Sequence, residues 1–179
     1  IRTGFRWTVK VEDQTSLLDE NTESQYAIPE VTEFSSNHIN MNTVGNETIY
    51  VHGRNFGPVS TLSNISNEYV WYGPSENYME YQIYNCKVVV AHVSIECISL
   101  ESKNNVNRNG LRWSVKIENQ ISIPSVRNDS QYGIPEILNF SNHINMSTAG
   151  NESVYLYGSN FGPVSALSYE TYGEYVWYG

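Results

Sequence analysis

The feature that most constrains this chain is that it repeats itself. Gly4-Phe5-Arg6-Trp7-Thr8-Val9-Lys10-Val11 returns as Gly110-Leu111-Arg112-Trp113-Ser114-Val115-Lys116-Ile117. Gln25-Tyr26-Ala27-Ile28-Pro29-Glu30 returns as Gln131-Tyr132-Gly133-Ile134-Pro135-Glu136, and Asn37-His38-Ile39-Asn40-Met41 as Asn142-His143-Ile144-Asn145-Met146. Tyr69-Val70-Trp71-Tyr72-Gly73 returns as Tyr175-Val176-Trp177-Tyr178-Gly179. The period is about 106 residues, with single-residue slips in loops. That is the length of a whole domain, well beyond the 20–50 residues of a solenoid unit. The 179 residues hold a little over one and a half periods, and residues 74–109 have no second copy.

Within each copy the hydrophobic signal has period two. Phe5, Trp7, Val9 and Val11 alternate with Arg6, Thr8, Lys10 and Glu12, and Leu111, Trp113, Val115 and Ile117 do the same. Ile49 and Val51 alternate with Thr48, Tyr50 and His52, and Val154 and Leu156 follow that rule. No window shows 3.6-residue periodicity. Alternation of this kind predicts sheets with one face on a core and one in water. Short strands between Gly/Pro/Asn/Ser clusters predict an all-β protein built of β-sandwiches.

The segment Cys86-Lys87-Val88-Val89-Val90-Ala91-His92-Val93-Ser94-Ile95-Glu96-Cys97 carries the most specific register. Folded as a hairpin about Ala91-His92, it sets Val90 opposite Val93, Val88 opposite Ile95 and Cys86 opposite Cys97, all on one face. Opposed residues of antiparallel strands have Cα atoms about 4.5–5.5 Å apart, within reach of a disulfide. A Cys86–Cys97 bridge is therefore expected, the alternative being two buried free thiols. Ala-His is poor chemistry for a two-residue loop, so a longer loop in the same register is the natural variant.

The net charge of −9 and the ten scattered Lys/Arg residues exclude a phosphate-neutralising surface, so nucleic acid is not an expected partner. No apolar run approaches the roughly 18–20 residues of a membrane-crossing helix. Asn-x-Ser/Thr sequons stand at Asn46, Asn64, Asn128, Asn139, Asn145 and Asn151, a modest excess for a chain so rich in Asn, Ser and Thr. With the cysteine pair they point to an extracellular or cell-surface glycoprotein, with N-linked glycans and no other cofactor.

Together these pieces resemble the IPT/TIG domain, an immunoglobulin-like sandwich that occurs in tandem in cell-surface receptors and protist surface proteins. The resemblance rests on Ile28-Pro29-Glu30 and Ile134-Pro135-Glu136, on the Gly-x-Asn-Phe-Gly-Pro segment after the second strand, and on Val-Trp-Tyr-Gly. It rests further on the cysteine pair and on Trp-x-Val-x-Val/Ile leading to Asn119-Gln120-Ile121-Ser122. The stretch Ser102 to Gly110 departs from the glycine-rich turn usual before the last strand. The resemblance implies that residues 1–24 are the last strand of a preceding domain, 25–127 a complete domain and 128–179 the first half of the next. A lone strand and a half-sandwich leave apolar faces and edges open. Neighbours in a longer array are expected to supply the missing strands. Exchange between chains, with residues 1–24 completing another chain's half-domain, is the less favoured arrangement because that half-domain still lacks its cysteine hairpin.

The turns Gly53, Asn55, Phe56, Gly57, Pro58 and Gly158, Asn160, Phe161, Gly162, Pro163 invite a phosphate-cradle reading. They have one glycine too few for a P-loop, no following Lys-Ser/Thr and no helix. A structural turn is expected instead: Gly53 and Gly57 at positive φ, Phe56 plugging the sandwich end, Pro58 fixing the exit. His38 and His143 lie in Asn/Ser-rich loops, and His52 becomes Tyr157 in the second copy, so no metal site is expected. Nor is there a nucleophile elbow, a zinc-protease motif or a calcium loop. Glu30/Glu136 and Glu68/Glu174 recur with the fold and need no catalytic role, while Trp7, Trp71, Trp113 and Trp177 are expected in cores. The functional expectation is a non-enzymatic rod, appendage or fibril whose partners are neighbouring copies of the same domain. The alternative is a receptor or adhesion ectodomain binding a protein or glycan. An accessory domain of a polysaccharide-active enzyme is the weakest reading.

Overall fold

The computed structural model describes residues 4–17, 24–35, 40–63, 65–102, 110–141, 145–163 and 176. Among them there are strands and turns and no helix. The strands are β1 (Lys10–Val11), β2 (Gln14–Thr15), β3 (Glu30–Phe34), β4 (Asn40–Met41), β5 (Thr48–Arg54), β6 (Ser60–Thr61), β7 (Tyr69–Gly73) and β8 (Tyr81–Ile83). They continue as β9 (Lys87–Val90), β10 (Ser94–Ile98), β11 (Arg112–Ile117), β12 (Gln120–Ile121), β13 (Gln131–Tyr132), β14 (Glu136–Phe140) and β15 (Leu156–Ser159).

One antiparallel sheet runs β3-β5-β10-β9-β6 and a second runs β12-β11-β7-β8. Their inner faces share one core, with Phe34, Ile49, Val51, Val88 and Ile95 from the first and Val70, Tyr72, Trp113 and Val115 from the second. The molecule is all-β, and this pair of sheets has the layering of a β-sandwich. Period two places Ile49 and Val51 inward on β5 and leaves Thr48 outside. In β3 a bulge between Val31 and Glu33 resets the alternation, so Val31 and Phe34, three residues apart, both face the core.

Cys86 and Cys97 are joined by a disulfide, and Val88 pairs with Ile95. The hairpin loop differs from the two-residue turn. It spans Ala91-His92-Val93, closed by Val93 N–H donating to Val90 O at 3.0 Å, with His92 at φ 64°. Val90 therefore pairs with Ser94 and not Val93. Val90 and Val93 stand exposed, so four of the six expected side chains are buried on the face and two are not. The cause is the turn chemistry: a three-residue loop needs one left-handed residue and a compensating bulge, which appears between Ser94 and Ile95.

The second copy reproduces the first locally. β14 pairs with β15 as β3 pairs with β5, with a register shift between Ile137 and Asn139 matching that between Val31 and Glu33. The β1–β2 hairpin matches β11–β12, down to the Phe5–Ser24 and Leu111–Ser130 bridges. Burial is what differs. Phe34 is 0% exposed and its counterpart Phe140 58%; Trp113 is 0% exposed and its counterpart Trp7 69%. The expectation that the tryptophans lie in cores thus fails for Trp7, which has no opposing sheet among the described residues. It fails in part for Trp71, half-buried against Tyr69 on the outer face of β7. Trp177 lies outside the described residues, as do His38, His143 and Asn64.

Candidate functional site

The best-built polar constellation is the joint between the two copies. It forms where residues 130–133 leave the central unit. Leu111 N–H donates to Ser130 O at 2.9 Å, and β13 then runs parallel to β4, pairing Gln131 with Asn40 and Tyr132 with Met41. Gly133 N–H continues the ladder to Met41 O at 2.7 Å, while Gln131 Nε2 donates to Asn40 Oδ1 at 2.7 Å. These are mainly backbone bonds, so the connection behaves as an added strand and not as a tether.

Tyr132 is the anchor. It is 2% exposed, against 69% for its counterpart Tyr26. Its hydroxyl donates to Leu100 O at 3.1 Å and also bonds the Tyr72 hydroxyl. Tyr72 in turn stacks on Trp113 with centroids 4.9 Å apart. Burial, reinforced by the neighbouring Tyr132, pushes the Tyr72 phenol well above its ordinary pKa. Tyr26 instead meets Phe5 edge-on at 5.3 Å. Reading Ile134-Pro135-Glu136 as a domain start gave Tyr132 no role in the preceding core, and so missed this plug. The available signal was a bulky aromatic in both copies, two residues before Ile-Pro.

The two turns explain themselves by geometry. Asn55 and Asn160 take the left-handed conformation at φ 62° and 59°, as do Gly57 and Gly162 at 81° and 97°. Asn55 Nδ2 donates to Ile28 O at 3.0 Å and Asn160 Nδ2 to Ile134 O at 3.2 Å, clipping each turn to its own Ile-Pro. Gly53 is not at positive φ, which corrects the expectation. It lies in β5, where a Cβ would stand 1.9 Å from Glu30 O and 2.4 Å from Phe56 Cζ. Gly158 repeats this, with 1.9 Å to Glu136 O and 2.5 Å to Phe161 Cζ. Close approach, rather than backbone conformation, selects glycine there.

Each turn has two working sides. In the first copy Phe56 is buried and Gly57 O accepts from His92 N–H at 2.7 Å, holding the cysteine hairpin loop; exposed Pro58 leads out of the turn towards β6. In the second copy Gly162 N–H donates to Thr43 Oγ1 at 3.1 Å, touching the preceding unit, with half-buried Pro163 next in the chain. Asn160 also packs over Gly133, whose Cβ would lie 2.5 Å from its Nδ2. The turn is a structural bracket between an Ile-Pro start, a hairpin loop and the neighbouring unit.

Beside the joint, Arg127 pairs with Asp129 at 2.5 Å and with Glu33 at 3.4 Å, its guanidinium 4.9 Å from the Phe34 ring centre. The hydrogen bond from Arg127 holds the Asp129 carboxyl below its ordinary pKa. Among the sequons, Asn46 and Asn151 sit exposed at matching turn tips with φ 64° and 65°. Asn128, Asn139 and Asn145 are also exposed, and the Asn139 side chain accepts from Phe140 N–H at 2.8 Å. His52 is half-buried and stacked on Tyr50. Among the described residues no three His, Cys, Asp or Glu side chains gather as a metal site. No family model, curated protein or solved structure matches the chain.

Proposed function

We propose that the chain is a stretch of tandem immunoglobulin-like domains of the IPT/TIG type, acting as a structural, non-enzymatic extracellular glycoprotein whose repeats stack into a rod or fibril. The observation that carries this reading is the joint. One repeat's Gln-Tyr-x-Ile-Pro segment adds a strand to the repeat before it, and the same segment with the same turn occurs in both copies. A joint fixed by main-chain bonds and a buried tyrosine transmits orientation from unit to unit, and a repeated fixed rotation generates a straight or helical filament. The strand order supports the domain type. Sheets β3-β5-β10-β9-β6 and β12-β11-β7-β8 follow the division of strands in constant-type immunoglobulin sandwiches, the first widened by β6 and the second by β8. The disulfide fits an oxidising compartment.

Two measurements test the reading: electron imaging of the native material and glycopeptide mass spectrometry at Asn46 and Asn151. The expected result is filaments with a regular axial repeat and hexose-bearing peptides at both sites. Flexible beads or compact monomers without glycans would refute it.

A further inference from the structure

The segment that leaves the central unit runs beside the segment that enters it, in the same direction and nearly one register. Gln120 Nε2 donates to Tyr26 O at 2.9 Å. Ile123 bridges Glu30 in parallel. Arg127 pairs with Glu33 at 3.4 Å and lies over the Phe34 ring. Gln131 and Tyr132 pair with Asn40 and Met41, again in parallel. The offset in sequence stays between 91 and 94 along these rungs. They run from Tyr26 to Met41 on one segment and from Gln120 to Gly133 on the other. Gly133 N–H on Met41 O and the buried Tyr132 ring close the far end.

Parallel pairing of an entering and a leaving segment has a mechanical consequence. The chain enters at the Tyr26 end of the ladder and leaves at the Gly133 end, the opposite one. Tension along the chain therefore slides the two segments past each other and loads every rung at once. In an antiparallel pair both segments are pulled from one end, and the rungs open one after another. The path from Tyr26 to Gly133 also bypasses strands β5 to β11 and the Cys86–Cys97 bridge. The amide residues recur, with Gln120, Gln131 and Asn40 matched by Gln14, Gln25 and Asn145 in the other copies.

We propose that this ladder is a shear clamp that carries tension from one unit to the next and makes the chain a load-bearing element. The proposal deepens the rod or fibril reading and rests on it for the source of the load, whereas the clamp belongs to the central unit alone. Its side-chain rungs are exposed or half-buried, so each adds little to equilibrium stability. Under load their parallel placement makes them act together.

The test is single-molecule force spectroscopy on the chain of residues 1–179 in two pulling geometries. Handles at the two termini load the ladder in shear. Handles at the N-terminus and at Ile121→Cys pull from the Tyr26 end only and peel it. Ile121 is exposed and the native cysteines are bonded to each other, so the new thiol is the only free one. The step of the central unit is recognised by its disulfide. Reduction should lengthen it by about 30–35 Å, because a separation of 11 residues becomes free chain at about 3.3–3.6 Å per residue. At a fixed load the unfolding rate is expected to be about tenfold or more lower between the termini than from Ile121→Cys, because the rungs share the load. Removing three side-chain rungs together, by Gln120→Ala, Arg127→Ala and Gln131→Ala, should raise the rate between the termini about tenfold. Val88→Ala, in the core outside the ladder, should lower the urea midpoint more than the triple change yet raise that rate less. Equal rates in the two geometries, or a Val88→Ala effect under load that matches the triple change, would overturn the proposal. Should the triple variant not fold, the comparison of geometries still decides. Filaments with glycans whose units unfold alike in both geometries would refute the clamp and spare the proposed function; a rate difference in material that forms no filaments would do the reverse.

Discussion

Trp113 and Trp7 occupy the same position in two copies of one strand, and replacing each by alanine should have opposite consequences. Trp113 is wholly buried, stacked on Tyr72 at 4.9 Å and tilted against Phe34 at 6.3 Å. An aromatic of this size buries about 150–250 Å², worth roughly 4–6 kcal/mol at 25 cal/mol per Å². Measured Trp→Ala changes in cores cost about 3–5 kcal/mol, so Trp113→Ala should consume much of a small domain's stability. Trp113 Nε1 is buried without a hydrogen-bond partner among the described residues, so part of its burial is unfavourable. Trp113→Phe should consequently cost less than half as much as Trp113→Ala. Trp7 is 69% exposed, and in dilute monomer Trp7→Ala should move stability by no more than about 0.5 kcal/mol. The assay is urea unfolding followed by far-ultraviolet circular dichroism, because each substitution removes one of the four tryptophans that fluorescence reads. A Trp113→Ala cost below about 1 kcal/mol, or a Trp7→Ala cost equal to it, would refute the assignment of core and bare face.

Three other outcomes follow from the same geometry. Gly53→Ala places a methyl 1.9 Å from Glu30 O and should cost about 2–3 kcal/mol or more in urea midpoint, whereas Gly57→Ala meets only Ile117 at 3.8 Å and acts through its φ of 81° alone. Replacing Cys86 and Cys97 together by serine removes a bridge with a sequence separation of 11, for which loop-closure entropy gives about 3 kcal/mol; a loss below about 1 kcal/mol in thermal or urea unfolding would contradict it. Because the folded Tyr72 pKa lies above its unfolded value of 10.0, its contribution is fully present below pH 10.0 and is lost as the pH rises towards the folded value. Absorbance at 295 nm should therefore show a tyrosine that ionises only with unfolding, and Tyr132→Phe, which leaves the Tyr72 hydroxyl without that partner, should cost about 1–3 kcal/mol in the same scan.

The parts of this fold that depend on parity were legible in the residues. Ile49 and Val51 face inward because neighbours two apart share a face, and Val88 opposite Ile95 carries the cysteines into register. Whatever depends on a departure from parity was not. The bulge that turns both Val31 and Phe34 inward has no residue signature in Glu-Val-Thr-Glu-Phe, and the left-handed His92 that lengthens the hairpin loop is a weaker signal for that conformation than glycine. Burial itself was the least legible property. Phe5-Arg6-Trp7-Thr8-Val9 and Leu111-Arg112-Trp113-Ser114-Val115 have the same alternation and opposite exposure, because burial belongs to the sheet across the gap and not to the strand that carries the pattern. The turn glycines show a related limit: Gly53 and Gly57 look alike as glycines, yet one is selected by a close contact and the other by φ.

The joint also changes what counts as a unit. Phasing by Ile-Pro assigns Tyr132 to the following repeat, yet its side chain lies in the core of the preceding one, hydrogen-bonded to Leu100 O and Tyr72. The energetic unit therefore overlaps its neighbour by the length of β13. A buried tyrosine cannot leave that site without exposing its ring and the Tyr72 hydroxyl, so loosening the joint and loosening the core are one event. Stability along such a chain is then a sum of unit terms and nearest-neighbour terms, and the neighbour term is carried by the start of the next repeat. Through Tyr132 and β13 the start of the second copy and the stability of the first are therefore tied together.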